Sequence, residues 1–271
     1  MRDHNRVGAA ALSAISAAMF CAAPTASAGA WNYNQGQGQS IISVSGQSAS
    51  DSFDARGQPV IPTDYQKVTA DIYWEHGITD TLTGVVNAGV ETVTLDSPGR
   101  DVQNTAGLSA AHLALRRQVY KTDSAVFALQ AGVIFGQDGE NIPGATLGLG
   151  GTDFEIGALA GRSAKLFGKD IFAQIHGARR FRGEGFADET RIDIAAGIET
   201  GARLQVFLQG FYARGEKSER GFPAYERFKV QPSVAFKNTY NRRVQIGISQ
   251  TITGKNSLKD TGAFIALWHS Y

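Results

Sequence analysis

The segment DTGAFIALWHSY, from Asp260 to the last residue Tyr271, alternates apolar and polar side chains and ends on an aromatic residue. Alternation with a period of two is the pattern of a β-strand that has one apolar face. Counted back from Tyr271, every second residue is apolar except His269, which stands where an apolar or aromatic side chain is more usual. The segment therefore predicts the closing strand of a β-barrel of the outer-membrane type.

About eleven further segments with the same alternation precede it. Many have ten or more residues, which is longer than the roughly five or six of soluble sheets and close to the roughly 9 to 11 that cross a bilayer when tilted. The pattern predicts an all-β chain with strands over Gln39–Gln47, Tyr65–His76, Leu82–Leu95, Gly107–Tyr120, Ala125–Gly136, Asp153–Ala164, Asp170–Arg182, Thr190–Thr200, Ala202–Arg214, Glu226–Lys237, Arg243–Thr253 and Gly262–Tyr271.

The predicted connections are short and long in strict alternation. The short ones are Gly77–Thr81, Lys121–Ser124, Leu166–Lys169, Thr200–Ala202 and Asn238–Arg242; the long ones are Ser48–Asp64, Asp96–Ala106, Gln137–Thr152, Gly183–Glu189, Gly215–Tyr225 and Gly254–Thr261. A soluble sandwich has no reason to keep its long loops at one end, whereas membrane barrels combine short periplasmic turns with long external loops. We therefore predict a transmembrane antiparallel β-barrel of about 12 strands.

Aromatic residues strengthen the membrane interpretation, because alternation alone also fits a soluble sheet with one face in water. They gather near the predicted strand ends, where barrels carry aromatic girdles at the two membrane interfaces. The aromatic residues concerned are Trp74, Tyr120, Phe135, Phe172, Phe181, Tyr212, Phe228, Phe236 and Trp268.

The N-terminus has the layout of a Sec-type signal peptide. Two arginines precede an apolar run, and Ala26-Ser27-Ala28 supplies small residues for cleavage before Gly29. We expect a signal peptide over 1–28 and a single barrel domain over 29–271, located in the outer membrane of a Gram-negative cell. The only cysteine, Cys21, lies in the predicted signal peptide. The formal net charge of +1 offers no argument for nucleic-acid binding.

The residues predicted to face the interior are charged and polar, which suggests a wet lumen of mixed sign. One hypothesis is a passive channel with these residues as pore lining; the alternative is a closed barrel filled by ion pairs. A lipid-modifying enzyme built on His112 or His176 is a weaker hypothesis, since no catalytic motif is present, and no metal or cofactor is predicted. The candidate pore-lining residues are Lys67, Asp71, Glu75, His112, Arg116, Glu155, His176, Arg180, Arg191, Asp193, Gln205, Gln209 and Lys229.

Three stretches resemble the XagA-like outer-membrane family, which is associated with exported adhesive polysaccharide. They are AWNYNQGQGQ from Ala30 to Gln39, the short stretch Phe53-Asp54…Gly57, and the segment from Lys67 to Thr83 that contains YWEHGITDTLT. The resemblance covers about the first third of the chain after the predicted signal. It implies a barrel that works as a passage or accessory for sugar or polysaccharide export, with outer-membrane lipid and possible export machinery as partners. A structural or adhesion barrel remains the alternative.

Overall fold

The structure, a computed structural model, describes residues 29–96, 102–136, 151–183, 185–219, 221–238 and 241–271. The predicted signal peptide over 1–28 lies outside the described residues, as does most of the predicted connection Gln137–Thr152. None of the described residues forms a helix long and apolar enough to cross a membrane.

The described chain is all strand, turn and irregular connection. The strands are β1 (Gly38–Phe53), β2 (Pro59–Thr79), β3 (Leu82–Asp96), β4 (Gln103–Leu108), β5 (Ala111–Lys121), β6 (Ala125–Phe135), β7 (Thr152–Leu166), β8 (Lys169–Phe181), β9 (Glu189–Glu199), β10 (Leu204–Gly215), β11 (Tyr225–Lys237), β12 (Arg242–Lys255), β13 (Ser257–Leu258) and β14 (Thr261–Ser270).

Every strand pairs antiparallel with its neighbours, and the sheet closes on itself. β14 pairs with β12 on one edge and with β1 on the other, where the register runs from Gln39↔Ser270 to Ser48↔Thr261. β4 and β5 pair with successive parts of β3, so together they form one barrel strand, and the two-residue β13 only extends the edge of β1. The barrel therefore has twelve strands, which confirms the predicted architecture.

The connections separate into two ends of the barrel. We call the end with residues 80–81, 122–124, 167–168, 200–203, 238 and 241 the turn side, and the opposite end the loop side. The turn Phe167-Gly168 shows why such turns stay short, because both residues have positive φ, 49° and 76°. Two-residue hairpin turns of this kind match the twist of the strands that they join.

The predicted loop Ser48–Asp64 is wrong, because β1 and β2 continue through most of it. Only residues 54–58 turn the chain. The carboxylate of Asp54 accepts hydrogen bonds from the backbone amides of Arg56 and Gln58, both at 2.8 Å. These bonds, that from Gln58 first, hold the pKa of Asp54 below its usual range. The alternation of apolar and polar residues cannot distinguish a polar hairpin, whose two strands pair with each other, from a loop.

The predicted strand Gly107–Tyr120 is also corrected, since Ser109 and Ala110 interrupt it between β4 and β5. The amide of Ser109 donates to the carbonyl of Gly89 at 2.9 Å, so the interruption stays attached to β3. A bulge of this kind bends the wall without breaking the barrel.

The outer surface of the barrel is apolar. Leu208 and Ile248 are each 60% exposed, although they lie in the middle of their strands. Tyr120, Phe135, Phe181 and Phe236 also point outward near strand ends, in agreement with the predicted girdles; further outward side chains are Leu113, Leu115, Leu129, Phe154, Ile156, Ile175, Ile194, Ile246, Ile265 and Leu267. Such a surface is stable only against lipid.

Two of the predicted girdle aromatics instead face the interior. Trp268 is 6% exposed, and its indole Nε1 donates to Gln245 Oε1 at 3.1 Å. Phe172 packs edge-on against Phe207, with ring centroids 5.9 Å apart. Both residues lie near a strand end, as predicted, but the prediction that they face the lipid is wrong. An aromatic residue near a strand end fits either the lipid interface or an apolar interior.

A charge on the lipid-facing surface should test the membrane placement. Leu208→Arg should lower the free energy of unfolding from lipid vesicles by about 2 to 4 kcal/mol, because it places a cation near the bilayer midplane. Phe167→Arg, in a turn where the side chain is 94% exposed, is the matched control and should cost far less. Equal costs at the two positions would contradict the placement of β10 in the bilayer.

Candidate functional site

The interior of the barrel is the candidate site, and all thirteen predicted pore-lining side chains face it. Eight of them are almost inaccessible to solvent, with exposed fractions of 7% or less. His112, His176, Arg191 and Asp193 keep side-chain exposures between 16% and 22%, and Asp71 is also partly exposed. Their role as pore lining remains a prediction, but the exposures divide the interior into sealed and accessible parts.

Three ion pairs seal part of the interior. Each has a nitrogen–oxygen distance of 2.6 or 2.7 Å and side chains that are at most 4% exposed. Short ion pairs of buried groups offset the cost of burying both charges. The three sealed pairs are Lys67 with Glu91, Arg116 with Glu75, and Lys229 with Asp260.

Two of the sealed pairs brace parts of the wall that are not neighbours, whereas Lys67 and Glu91 join the paired strands β2 and β3. Arg116 on β5 reaches across β3 to Glu75 on β2, and its Nε also donates to Gln130 Oε1 on β6 at 3.1 Å. Lys229 on β11 donates to Gln47 Oε1 on β1 at 3.1 Å, across β12 and β14. These contacts hold the wall in one shape from the inside.

Part of the interior toward the turn side is apolar, which the sequence analysis did not predict. Ile41, Tyr73, Val85, Phe264 and Trp268 belong to one buried cluster that also contains two alanines. The expected lumen, polar and mixed in sign throughout, is wrong for this part of the barrel. Apolar residues at inward positions fill a narrow interior well, because little water remains there to solvate them.

The N-terminal segment, residues 29–37, enters the barrel from the turn side. The indole of Trp31 packs edge-on against Phe172, with ring centroids 6.5 Å apart. Gly161 on β7 provides the space, because a Cβ at this position would lie 2.6 Å from the indole. Ala30 is fully buried beside Val126, Ala128 and Leu159. The segment therefore joins the apolar part of the interior.

Hydrogen bonds hold the N-terminal segment along its length. Near its start, the carbonyl of Gly29 accepts from Arg116 Nη1 at 2.7 Å, and the amide of Ala30 donates to Gln174 Oε1 at 3.3 Å. Near its end, the amide of Gln35 donates to Asp80 Oδ1 at 3.0 Å. The segment thus lies inside the turn side of the barrel. Its composition, rich in Trp, Asn and Gln directly before a strand, was the only signal of this in the sequence.

The accessible part of the interior lies toward the loop side, along the wall from β5 to β9. Here the ion pairs are long: Glu155 lies 3.5 Å from Arg180 and 3.7 Å from Arg191, and Arg191 lies 3.8 Å from Asp193. We call this group the open cluster, and its members are His112, Glu155, His176, Arg180, Arg191 and Asp193.

Glutamines line the opposite wall of the interior. Gln231 Nε2 donates to Gln209 Oε1 at 3.1 Å, and Arg243 Nη1 donates to Gln205 Oε1 at 3.0 Å. The three glutamines are almost fully buried, with exposed fractions of 5% or less, so this wall offers a solute little access. Asp71 lies elsewhere, against Gly89, where a Cβ would collide with its carboxylate.

Comparisons with known proteins identify the fold. No family model matches the chain, and no curated protein matches it. An outer membrane channel of Pseudomonas putida F1 superposes with a TM-score of 0.69 and 11% identity, over 89% of this chain and 97% of that one. The translocator domain of autotransporter NalP from Neisseria meningitidis gives 0.53 at 9% identity over 89% and 90%. The β domain of the Bordetella autotransporter BrkA gives 0.53 at 12% identity over 88% and 100%. The chain has the fold of Gram-negative outer-membrane barrels.

The sealed pair of Arg116 and Glu75 should be essential for stability. Arg116→Met leaves the Glu75 carboxylate buried without its cation, which should lower the free energy of unfolding by about 3 to 5 kcal/mol. The double variant Arg116→Met, Glu75→Leu should recover most of this loss in denaturant titrations in lipid vesicles. Lys165→Met removes an exposed pair with Asp170 and should change nothing measurable. A double variant as unstable as the single one would contradict the pairing.

Proposed function

We propose that this protein is an outer-membrane channel for small polar solutes, closed from the turn side by its own N-terminal segment. The observation that carries the proposal is the coexistence of accessible charged groups and a seated segment in one barrel. A barrel that served only as a scaffold would gain more from pairing its interior charges tightly, as the three sealed pairs do. The accessible members of the open cluster leave polar groups for a solute to contact; they are His112, His176, Arg191 and Asp193.

The N-terminal segment has the properties of a removable closure. It contacts the wall through one indole, a few hydrogen bonds and the guanidinium of Arg116, and its backbone pairs with β2 only where it ends, at Gly36 and Gln37 opposite Gly77. Its release would leave the twelve-strand sheet intact, because backbone pairing within that sheet is continuous without it. We propose that the channel opens when this segment leaves the barrel.

We further propose that the solute is a sugar and that the channel works beside an exported polysaccharide. The resemblance of Ala30–Gln39 and Lys67–Thr83 to the XagA-like family supports this association. A barrel crossed by the sealed pairs admits small solutes more readily than a polysaccharide chain, so an accessory role in sugar passage is the form that we propose. Outer-membrane lipid surrounds the apolar exterior, and the export machinery is the proposed protein partner.

A structural barrel with a blocked interior is the second candidate. The apolar cluster at the turn side and the three sealed pairs favour it, because both would also be expected in a barrel that never conducts. The two candidates differ in one measurable respect, which is whether displacing the N-terminal segment opens a path for solutes.

Displacement of the segment should open the channel. Gly161→Val places a side chain where the indole of Trp31 lies, so the segment should leave the interior and the ion current through planar bilayers should rise several-fold over the wild type. Gly177→Val, on the neighbouring strand with nothing within 4 Å of its Cβ, should behave as the wild type. A chain without residues 30–36 should conduct like Gly161→Val.

A labelling experiment makes a negative result decisive. With Asn32→Cys as the only thiol after the predicted cleavage, a maleimide should react slowly in the closed barrel and quickly when Gly161→Val is added. Rapid labelling without any increase in current, in this variant and in the truncated chain, would exclude the channel and favour the blocked barrel.

A further inference from the structure

The open cluster differs from every sealed pair in the spacing of its charges. Its nitrogen–oxygen distances run from 3.5 to 3.9 Å, and include His112 to Glu155 and His176 to Asp193, both at 3.9 Å. The sealed pairs have distances of 2.6 or 2.7 Å in the same barrel. The longer distances exceed those of direct hydrogen bonds. The open cluster is therefore arranged around a space, and its members do not close on one another.

Four buried polar atoms of the open cluster lack a hydrogen-bond partner among the described residues. They are Nε2 of His112, Nε2 of His176, Oε2 of Glu155 and Nε of Arg180. Glu155 and Arg180 are only 4% and 7% exposed. Buried polar groups are nearly always hydrogen-bonded, because leaving one unpaired costs its full desolvation. Nε of Arg180 and Oε2 of Glu155 face each other at 3.5 Å, which is too far for a good hydrogen bond, so a ligand between these groups could supply the missing partners of all four atoms.

Two glycines shape the wall at this place. A Cβ at Gly132 on β6 would lie 2.7 Å from Nε2 of His112, and one at Gly157 on β7 would lie 2.6 Å from Nε2 of His176. Gly132 is the register partner of Glu155. The glycines thus leave room for the imidazole of His112 over β6 and for that of His176 over β7, next to the strand position of Glu155. A side chain at either glycine would collide with the imidazole.

We propose that the open cluster binds a neutral polyhydroxylated solute of the size of a mono- or disaccharide, an assignment that rests on the proposed passage of small polar solutes. Cations and anions alternate within 4 Å of one another, so their long-range fields largely cancel and directional hydrogen bonding remains. An anion would meet Glu155 and Asp193, and a cation would meet Arg180 and Arg191. A sugar hydroxyl both donates and accepts, so it satisfies imidazole, guanidinium and carboxylate alike.

The inference is tested by binding and not by transport. The full-length processed protein in detergent is titrated calorimetrically with glucose, galactose, N-acetylglucosamine and maltose. At least one should bind saturably, and the double variant Arg191→Gln, Asp193→Asn should weaken that binding tenfold or more, because it replaces a charged donor and a charged acceptor by neutral amides without changing the net charge. Glu155→Gln, a single conservative change, should weaken it several-fold.

The matched control is the double variant Lys229→Gln, Asp260→Asn. It removes charges of both signs from a sealed pair on the opposite wall, so sugar affinity should equal that of the wild type while circular dichroism reports the same sheet content. Any loss of binding in the cluster variants is interpreted only for protein with wild-type sheet content and wild-type resistance to urea. Glu155→Gln preserves the shape of the side chain and keeps the test available if the double variant fails to fold.

The outcomes separate this inference from the channel proposal. Failure of all four sugars to bind, equal affinity of the wild type and the cluster variants, or saturable binding of inorganic phosphate in place of sugar would each overturn the assignment. A barrel that binds sugar at the open cluster and never conducts, even without residues 30–36, leaves the binding site established and removes the channel. A barrel that conducts and binds no sugar leaves the channel established and removes the binding site.

Discussion

The pairing of the first strand with the last is the constraint on which the rest of the structure depends. A bilayer offers no water to unpaired backbone groups, so a sheet in lipid must have no free edge. β14 meets β1 over ten consecutive residue pairs and removes the edge that either strand would otherwise expose. Closure also determines which side chains face inward. Along each of the twelve strands, the side chains point alternately into the enclosed space and toward the lipid.

The enclosed space is filled in two different ways. Toward the turn side, apolar side chains and the N-terminal segment exclude water. Elsewhere charges face inward, and the three sealed pairs neutralise some of them in short contacts. The groups of the open cluster are instead held apart. The proposed channel requires accessible polar groups and a segment that can close the interior. Both are held by the same closed sheet.

Much of the barrel could be predicted because alternation is a local property. The inward positions of Lys67, Arg116 and Asp193 follow from counting by twos along each strand, and the structure places all three inside. The errors arose where that count carries no information. The predicted loop Ser48–Asp64 is a paired hairpin whose polar residues resemble those of a loop, and Trp268 lies near a strand end, where an aromatic side chain suits either face.

The sequence by itself determined the number of strands, the two classes of connection and the set of side chains that face inward, because each depends on residues close together along the chain. Only the tertiary structure decided which inward groups meet. Arg116 and Glu75 are separated by 41 positions and by one intervening strand, β3, and Gln174 meets Ala30 across 144 positions. Distances between strands are set by barrel closure and tilt, so the difference between a sealed pair and an open cluster exists only once the sheet has closed.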